Sequence, residues 1–335
     1  MQQISFATAE HQAKNRMTRR EKFLAEMEQI VPWSRLIAAL EPRYPKGRRG
    51  RPPIGLARML RLYFVQQWYG LADEALEDTV SDSAAIRSFV GIDLGRQEAP
   101  YATTVLKYRR LLEDNKLTNV LFAEINAHLS QRGLMMREGT MVDATIVNAP
   151  SSTKNKTQQR DSEMHQTKKR NQWYFGMKAH IGADADSGLV HSVHVTSANE
   201  SDAAHTHELL HGQESEVFAD AGYVGVQKRE EIIKAQQAGD INSNVKWNVA
   251  CGRAKLKGMA EGPLKQLTQA LERVKAQIRA RVEHPFHVVK NLFKHKKTRY
   301  KGLAKNGAQM LSLFGLANMM LAKKRLLTPQ AQGAS

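Results

Sequence analysis

The chain has 335 residues, enough for about two domains, and its 41% hydrophobic and 25% charged residues are typical of a globular protein. Fifty Lys and Arg against 33 Asp and Glu leave a formal net charge of +17, which indicates a polyanionic partner and favours nucleic acid over a membrane surface, because no clean basic amphipathic helix is present. One cysteine excludes an internal disulfide, and the longest apolar stretch, residues 310–322, is too short to cross a bilayer.

Helical patterns fill residues 1–133 and predict an all-helical N-terminal domain. Thr18, with Glu21 three residues later, has the capping-box pattern that begins a helix. Residues 54–70 place apolar side chains at helical spacing, and Gly70 ends the run.

A further helix of this domain is predicted at 101–114, capped by Thr103 or Thr104. It carries Lys107 and Arg110 early in its length. Such a helix can enter a DNA major groove and contact bases or phosphates, although a solvated charged face has the same pattern.

The segment GRRGRPP contains Arg49 and Arg51 and has the composition of an arm that lies in an A·T-rich minor groove. A charged linker has the same composition, and we prefer that interpretation. Arg49 and Arg51 therefore remain only candidate DNA contacts.

After Gly133 the pattern changes to strands. The predicted strands lie at 137–147, 173–182, 188–196, 216–219 and 244–250, and the predicted helices at 202–212, 226–239 and 264–296. This order predicts the α/β class, in which a mixed five-stranded sheet is flanked by helices. We assign it to a domain at 134–305, followed by a C-terminal helix and tail at 306–335.

A polar, basic segment at 151–172 interrupts the strands and is predicted to be a mobile loop. It carries Lys154, Lys168, Lys169 and Arg170. We expect these four cations to contact DNA.

Three acidic residues stand in unusual places. Asp143 lies in the middle of an apolar strand, where an unpaired carboxylate is costly unless it binds a partner or a metal. Asp220 ends another strand, at the edge of the sheet where ligands gather in layered α/β folds. Glu283 is the one acid among eight Lys or Arg between residues 281 and 305.

Three carboxylates suit metal-assisted phosphoryl transfer, because Mg²⁺ prefers oxygen ligands. Two ions about 3.5–4 Å apart would stabilise the attacking and leaving oxygens. The two aspartates would share the ions, and Glu283 would hold one from the opposite side. Arg279, His287 and Lys290 share a helix face with Glu283 and would hold DNA phosphates, with a kink expected at Pro285.

Each acid also has a purely structural interpretation. Asp143 can be a hydrogen-bond acceptor, Asp220 a turn residue and Glu283 the partner of a helical salt bridge. Three other acids of this domain are alternative candidates for the site, and we assign each a structural role. Asp184 and Asp186 lie in a predicted turn, and Asp202 lies near the cap of a predicted helix.

Other features leave alternatives open. Histidines cluster at 191, 194, 205, 207 and 211, but the spacing fits no strong zinc template, so we do not predict a structural zinc site. Trp173 and Tyr223 can stack on an extruded base, and core packing explains them equally well.

Long stretches of the chain resemble bacterial insertion-sequence transposases of the DDE type, in the family usually called IS-five. The most specific are VDATIVNAPSSTKNK at 142–156, EMHQTKKRNQWYFGMKAHIG at 163–182 and IRARVEHPFHVVK at 278–290. The resemblance covers nearly the whole chain. It implies an RNase H-like catalytic domain, Mg²⁺-dependent cutting at the element ends, and transfer of the freed 3′-hydroxyl into target DNA.

The resemblance also implies that the three acids named above are the catalytic residues. The family signature around the glutamate is Tyr, two residues, Arg, three residues, Glu, six residues and Lys. Arg279 and Lys290 match it, whereas Ala276 replaces the tyrosine. Arg170 stands where a glycine is expected in relatives.

The sequence therefore predicts a transposase that binds double-stranded DNA, both the terminal inverted repeats of its element and the target. It would use two Mg²⁺ ions, with Mn²⁺ as an accepted substitute, and act as a homodimer on DNA. We expect a cytoplasmic protein of a bacterium, at the nucleoid when bound to DNA, with no signal peptide. The alternative is a catalytically silent DNA-binding regulator derived from a transposase, which the intact acidic triad argues against.

Overall fold

A computed structural model of the chain describes residues 16–47, 53–95, 98–156 and 158–328. The described helices ahead of residue 133 are α1 Arg19–Ile30, α2 Trp33–Leu40, α3 Leu56–Tyr69, α4 Asp73–Asp82, α5 Ala84–Val90, α6 Ala102–Asp114 and α7 Leu117–Gln131. The later ones are α8 Glu230–Ala238, α9 Arg253–Lys257, α10 Pro263–Arg279, α11 Glu283–His287 and α12 Leu303–Leu327. Arg49 and Arg51 lie outside the described residues.

The ends of two N-terminal helices confirm their predicted signals. Thr18 accepts a hydrogen bond from the Glu21 amide, and the Glu21 carboxylate accepts one from the Thr18 amide, which completes the capping box of α1. Gly70 ends α3 in the left-handed conformation, at φ +62°. The predicted caps of α6 are wrong: its cap position is Tyr101, and neither threonine caps it.

One mixed sheet holds the strands of the described residues. They are β1 Gly139–Asn148, β2 His165–Lys169, β3 Gln172–Asp184, β4 Val190–Ser197, β5 Glu216–Ala219 and β6 Lys246–Val249. β3 pairs antiparallel with β1, β2 and β4, while β5 runs parallel to both β1 and β6. Without β2 the spatial order is β4-β3-β1-β5-β6, three antiparallel strands followed by two parallel ones. This is an RNase H-like arrangement and confirms the predicted α/β class.

The sixth strand corrects the prediction of five strands and of a continuous loop at 151–172. β2 pairs with the start of β3, and Arg170 and Asn171 form the two-residue turn between them. The sequence HQTKK gave no strand signal because β2 is largely exposed and lacks apolar alternation. Arg170 has φ +56°, a conformation that glycine adopts most readily, which gives a physical reason for the glycine expected there.

Two predicted helices take tighter forms. The segment predicted at 202–212 is a 3₁₀ helix over Asp202–Leu209. It packs closely on the sheet at Gly182, where an added side chain would meet the Leu209 carbonyl. The segment predicted at 226–239 begins as a 3₁₀ turn, Val226–Lys228, before α8.

The basic helical segment near the C-terminus changes its hydrogen-bond pattern along its length. α10 leads into a 3₁₀ turn at Ala280–Val282, then α11, then a π-helical turn at Val288–Leu292. The change surrounds Pro285, which cannot donate a hydrogen bond to the preceding turn. Pro285 itself lies within α11, the helix type changes on either side of it, and the kink expected there stays a prediction. π turns often occur at functional sites.

A continuous hydrophobic core joins the N-terminal helices to the sheet. It includes side chains of α1–α7, of the face of β1 that carries Met141, and of α12. α12 begins at Leu303, packs against α7 and β4, and also contacts α1 and α3. Within the described residues, no helix is long and apolar enough to cross a membrane.

A buried amide network fixes α12 to the sheet. Asn318, which is fully buried, accepts a hydrogen bond from the Val190 amide at 2.8 Å and donates to the Val190 carbonyl at 2.7 Å. It also donates to Asn126 of α7 at 2.9 Å. One side chain therefore connects α12, α7 and the start of β4.

We predict that Asn318→Ala lowers the free energy of unfolding by about 2–4 kcal/mol, because the buried Val190 amide and Asn126 Oδ1 lose their hydrogen bonds to Asn318 and a cavity opens. Denaturant unfolding followed by circular dichroism measures this. Asn119→Ala, at an exposed position of α7, is the matched control and should change stability by less than about 0.5 kcal/mol. Equal effects of the two variants would contradict the prediction.

Candidate active site

Asp143 occupies the middle of the central strand of the sheet. It is paired in register with Ile181 of β3, and alternation along the strand places it on the same face as Met141 and Thr145. Its Oδ1 accepts a hydrogen bond from the Ala144 amide at 2.7 Å. The carboxylate is thus held on the central strand, in a half-buried position.

Asp220 directly follows β5, the parallel neighbour of β1. The last pair of that ladder is Met141 with Phe218, so Asp143 and Asp220 each lie two residues beyond it, where the strands diverge. Asp220 caps a short 3₁₀ turn, and its Oδ1 accepts a hydrogen bond from the Gly222 amide at 2.7 Å. The sheet topology therefore brings two distant aspartates to the same level.

Glu283 begins α11, and its charge acts on Asp143. The pKa of Asp143 is raised to about 6, chiefly by burial and also by the charges of Asp220 and Glu283, while the Ala144 amide and Arg279 lower it. Asp220 and Glu283 are therefore near enough to Asp143 to raise its pKa. Arg279 lies one helical turn before Glu283, and its buried Nε has no hydrogen-bond partner in the part of the chain that the structure describes.

The donor set fits a hard divalent cation in its chemistry. All three groups offer carboxylate oxygens, as Mg²⁺ prefers, and half-buried Asp143 has no ion pair among the described residues. In the same residues, however, no three His, Cys, Asp or Glu side chains are close enough together to hold a metal. Binding an ion through all three would therefore require the carboxylates to approach one another.

A cleft of about 460 Å³ opens beside Glu283. Its walls come from the end of β1, the β2–β3 hairpin and the helix that follows Glu283. Three lysines line it: Lys169, Lys290 and Lys296. A carboxylate at one side and a group of ammonium ions around it suit a phosphodiester approaching the acidic residues.

Lys290 joins the cleft to the central strand. Its ammonium group donates hydrogen bonds to Thr145 Oγ1 at 2.6 Å and to the Ile146 carbonyl at 2.7 Å. Burial, and then the charges of Lys169 and Lys296, lower its pKa, while Glu283 opposes the shift. Two of its three donors hold the helix against β1, which leaves one for a phosphate.

Two family models match the chain. The model described as Transposase DDE domain matches residues 135–319, more than half of the chain, and the model described as Transposase domain (DUF772) matches residues 11–111. The chain belongs to the DDE transposases. Members of this family are enzymes of the polynucleotidyl transferase type that act on DNA and generally depend on divalent metal ions.

The four cations predicted to contact DNA in the basic segment at 151–172 are exposed, three of them on the β2–β3 hairpin of this transposase. Lys168, Lys169 and Arg170 are exposed on β2 and its turn, and Lys154 is exposed ahead of them. Lys168 lies over the ring of Trp173, with Nζ 5.9 Å from its centre, and Trp173 is 65% exposed. The exposed ring of Trp173 is accessible to a nucleic-acid base, and stacking of a base on it stays a prediction.

The two cations of α6 predicted to contact DNA are exposed, whereas the arginine between them is buried. Lys107 and Arg110 are exposed and accessible to DNA. Arg109, between them, is buried and forms a salt bridge with Asp73 at 2.6 Å while stacking on Tyr300. Only part of the basic character of this helix is therefore available for binding.

Sequence reasoning did not single out Lys296 as a site residue. Its carbonyl accepts a hydrogen bond from the Asn148 amide at 3.2 Å, and Thr298 donates to the Asn148 carbonyl at 2.8 Å. These bonds place Lys296 at the end of β1, inside the cleft. The excess of lysine between residues 281 and 305 was the available signal, but it did not distinguish this lysine from its neighbours.

His287, a predicted DNA contact, is exposed and also lines the cleft. Its Nδ1 lies 3.0 Å from Asn291 Nδ2.

Tyr223 is a core residue and cannot stack on a base, since it is 1% exposed. Burial raises its pKa, as do the charges of Asp202, Asp143 and Asp220. The tyrosine therefore lies close to the acidic residues and forms part of the packing behind them.

The rival acids have structural roles. Asp184 is fully buried and accepts hydrogen bonds from the amides of Arg137 and Ser187, as a turn residue should. Asp186 is exposed. Asp202 does not cap its helix as predicted, because the cap position is Ser201; it forms an ion pair with Lys178 at 2.9 Å.

The histidines pack against one another in the described structure. The rings of His194 and His205 are stacked with centres 5.1 Å apart, His180 lies 5.3 Å from His205, and His191 contacts His211 at 4.9 Å. Burial lowers the pKa of His180 to about 3 and that of His191 well below its ordinary value. Burial therefore favours the neutral form of His180 and His191.

We predict that Asp143→Asn raises the free energy of unfolding at pH 8, without divalent ions, by about 1–3 kcal/mol, because it removes a buried unpaired charge. The folded-state pKa of Asp143 is raised from 3.8 to about 6. The parent should therefore gain stability relative to the variant as the pH falls from above 6 toward about 4, where the carboxyl is neutral in both states. Thermal unfolding at a series of pH values measures this.

Asp186→Asn, at an exposed turn, is the control and should leave stability nearly unchanged at every pH. A loss of stability in Asp143→Asn at pH 8 would show that the carboxylate is a structural acceptor.

Proposed function

We propose that this transposase, of the IS-five type, binds the terminal inverted repeats of an insertion sequence, cuts the DNA at the element ends and joins the freed 3′-hydroxyl to target DNA. The observation that carries the proposal is that Asp143 and Asp220 each lie two residues beyond the last paired residues of β1 and β5, with Glu283 near enough to act on Asp143 and lining a lysine-rich cleft. Supporting the IS-five assignment are the three long sequence stretches and the Arg279 and Lys290 positions of the signature.

Within this proposal the carboxylates hold two Mg²⁺ ions, or Mn²⁺ in their place. Ions held there would stabilise the attacking and leaving oxygens of an in-line displacement at phosphorus. Asp143 fixes the position of the site because it belongs to the central strand, and Asp220 completes it from the parallel neighbour. Glu283, at the start of α11, would supply the third carboxylate ligand.

The basic side chains have separate roles in the proposal. Arg279 offers positive charge near Asp143 and orients the substrate phosphate, while Lys290 holds the helix against β1 and offers its remaining donor to DNA. Lys169 and Lys296 bind the backbone in the cleft, and His287 borders it.

The DNA flanking the cut would be held at a distance from the carboxylates. Lys154, Lys168 and Arg170 would contact phosphates along the hairpin, and Lys107 and Arg110 of α6 would contact the inverted repeat. The exposed placement of these five side chains supports this path. Ala276, which replaces the signature tyrosine, is exposed on α10 and offers no polar group to the DNA.

The competing function is a silent regulator that binds the element ends without cutting them. Both functions use the same cations, so DNA binding does not distinguish them. Cleavage does, because only the enzyme needs the three carboxylates to act together.

We predict Mg²⁺-dependent nicking of a labelled duplex that carries the terminal inverted repeats. Asp143→Asn, Asp220→Asn and Glu283→Gln should each lower the cleavage rate by more than about 100-fold while leaving binding of the duplex within about threefold. Gel analysis of the cut strand and fluorescence anisotropy measure the two quantities.

Asp186→Asn is the control for cleavage and should cut like the parent. Absence of cutting by the parent in Mg²⁺ and in Mn²⁺, with tight binding retained, would support the regulator. If all three carboxylate variants cut the duplex like the parent, the assignment of these residues as the catalytic site is wrong.

We also predict that the double variant Lys168→Ala and Lys169→Ala reduces the slope of log binding constant against log salt concentration by about 2, because each lysine neutralises roughly one phosphate. Lys234→Ala with Lys246→Ala removes the same charge from exposed positions on α8 and β6 and is the matched control. Equal slopes for the two double variants would exclude the hairpin from the DNA path.

A further inference from the structure

One helix exposes a line of large apolar side chains. Leu264, Leu267, Leu271 and Val274 of α10 are 70%, 61%, 55% and 52% exposed, and no residue of α10 is fully buried. No described segment of the chain covers this line, which we call the α10 seam. Exposed apolar patches of this kind usually mark an interaction surface.

The spacing of the seam is that of a coiled coil. Its four members and the half-buried Ile278 follow one another at intervals of three and four residues, as a and d positions of a heptad do. A helix that packs on its own domain normally has a wider apolar stripe that is buried. The α10 seam is narrow and faces solvent, so it suits a partner helix.

The flanks of the seam are nearly neutral in a chain of net charge +17. The e and g positions are Thr268, Ala270, Lys275 and Gln277. Lys275 is occupied within the chain, since its Nζ donates to the Val249 carbonyl at 3.2 Å and pairs with Glu272 at 2.9 Å. Two strongly basic molecules can therefore approach along this line without opposing like charges.

Internal contacts hold α10 by its other side. Glu272 accepts a hydrogen bond from the Cys251 amide at 2.9 Å, and Lys275 reaches the end of β6. These bonds fix the helix at the edge of the sheet while the seam remains open. The helix continues through the 3₁₀ turn into α11, so the docking surface lies on the helix that leads directly to Glu283.

We propose that the α10 seam is the docking surface for a second copy of this chain, helix against helix. A heptad seam complements itself when a two-fold axis passes through its centre, as pairing of identical chains requires. DNA has no apolar face to offer it. The α10 seams of two copies would bury on the order of 800 Å² together, below the roughly 1,000 Å² of a stable dimer, so pairing through α10 is weak by itself.

Weak pairing suits an assembly completed on DNA. Two copies held by two ends of one element would have a raised effective concentration, which strengthens pairing without new contacts. This DNA-dependent step rests on the proposed function, whereas the pairing of free chains does not.

The test uses the centre of the seam. Leu271 is the central residue of the seam, so it faces its own copy in a parallel pair and lies next to the two-fold axis in an antiparallel pair centred on the seam. In full-length protein with the natural cysteine replaced, Cys251→Ser, we compare Leu271→Cys with Gln269→Cys on the opposite face of α10. At roughly 100 µM protein, mild oxidation should give several-fold more disulfide-linked dimer from Leu271→Cys.

A second readout is the mass in solution. Leu271→Glu should reduce the concentration-dependent rise in weight-average mass in sedimentation equilibrium, whereas Ile233→Glu, at an exposed apolar position of α8, should not. Both positions are exposed, so neither variant should unfold the protein.

Equal cross-linking of the two cysteine variants in the absence of DNA, with no effect of Leu271→Glu on mass, would overturn the proposal. Protection of Leu271→Cys from a thiol reagent in dilute monomer would also overturn it, because another part of the same chain would then cover the seam. If free chains pair through the seam but DNA carrying the inverted repeats adds nothing, the docking surface stands and the end-binding function is what fails.

Discussion

The carboxylate of Asp143, set in the central strand of an apolar sheet, is the constraint on which the remaining arrangement depends. It is largely buried, its one hydrogen bond comes from the next amide, and burial together with neighbouring acids raises its pKa to about 6. A carboxylate removed from water without a charged partner lowers the free energy of unfolding rather than raising it. Among the described residues it has no ion pair, and in the proposed function a divalent cation is its partner.

The topology explains how distant acids meet at this point. Antiparallel pairing with β3 fixes the position of β1, and parallel pairing with β5 brings Asp220 to the level of Asp143 just where the two strands separate. The helix that carries Glu283 is held against β1 by Lys290, whose ammonium group is bonded to Thr145 and Ile146. A residue expected to bind DNA thus also holds this helix in place, and the cleft that it lines has Glu283 in its wall.

Much of this could be predicted from the sequence, and the failures have physical causes. Asp143 was recognisable because a charge interrupts an apolar strand, and Thr18 and Gly70 because helix ends have local signals. β2 gave no signal because its exposed residues are polar, and the caps of α6 were misassigned because two adjacent threonines offer the pattern without the geometry. The mutual distance of the three carboxylates depends on long-range packing that no local pattern contains, and they are not close enough together to hold a metal.

The central claim is that Asp143, Asp220 and Glu283 bind catalytic divalent ions beside the cleft. Crystals of the full chain with a duplex carrying the terminal inverted repeats, soaked in Mn²⁺, test it directly through anomalous scattering at the manganese edge. The account predicts anomalous peaks between Asp143 and Asp220, with Glu283 moved toward them, and their loss in Asp143→Asn. Manganese bound elsewhere on the protein, with these carboxylates unmoved and the DNA outside the cleft, would contradict it.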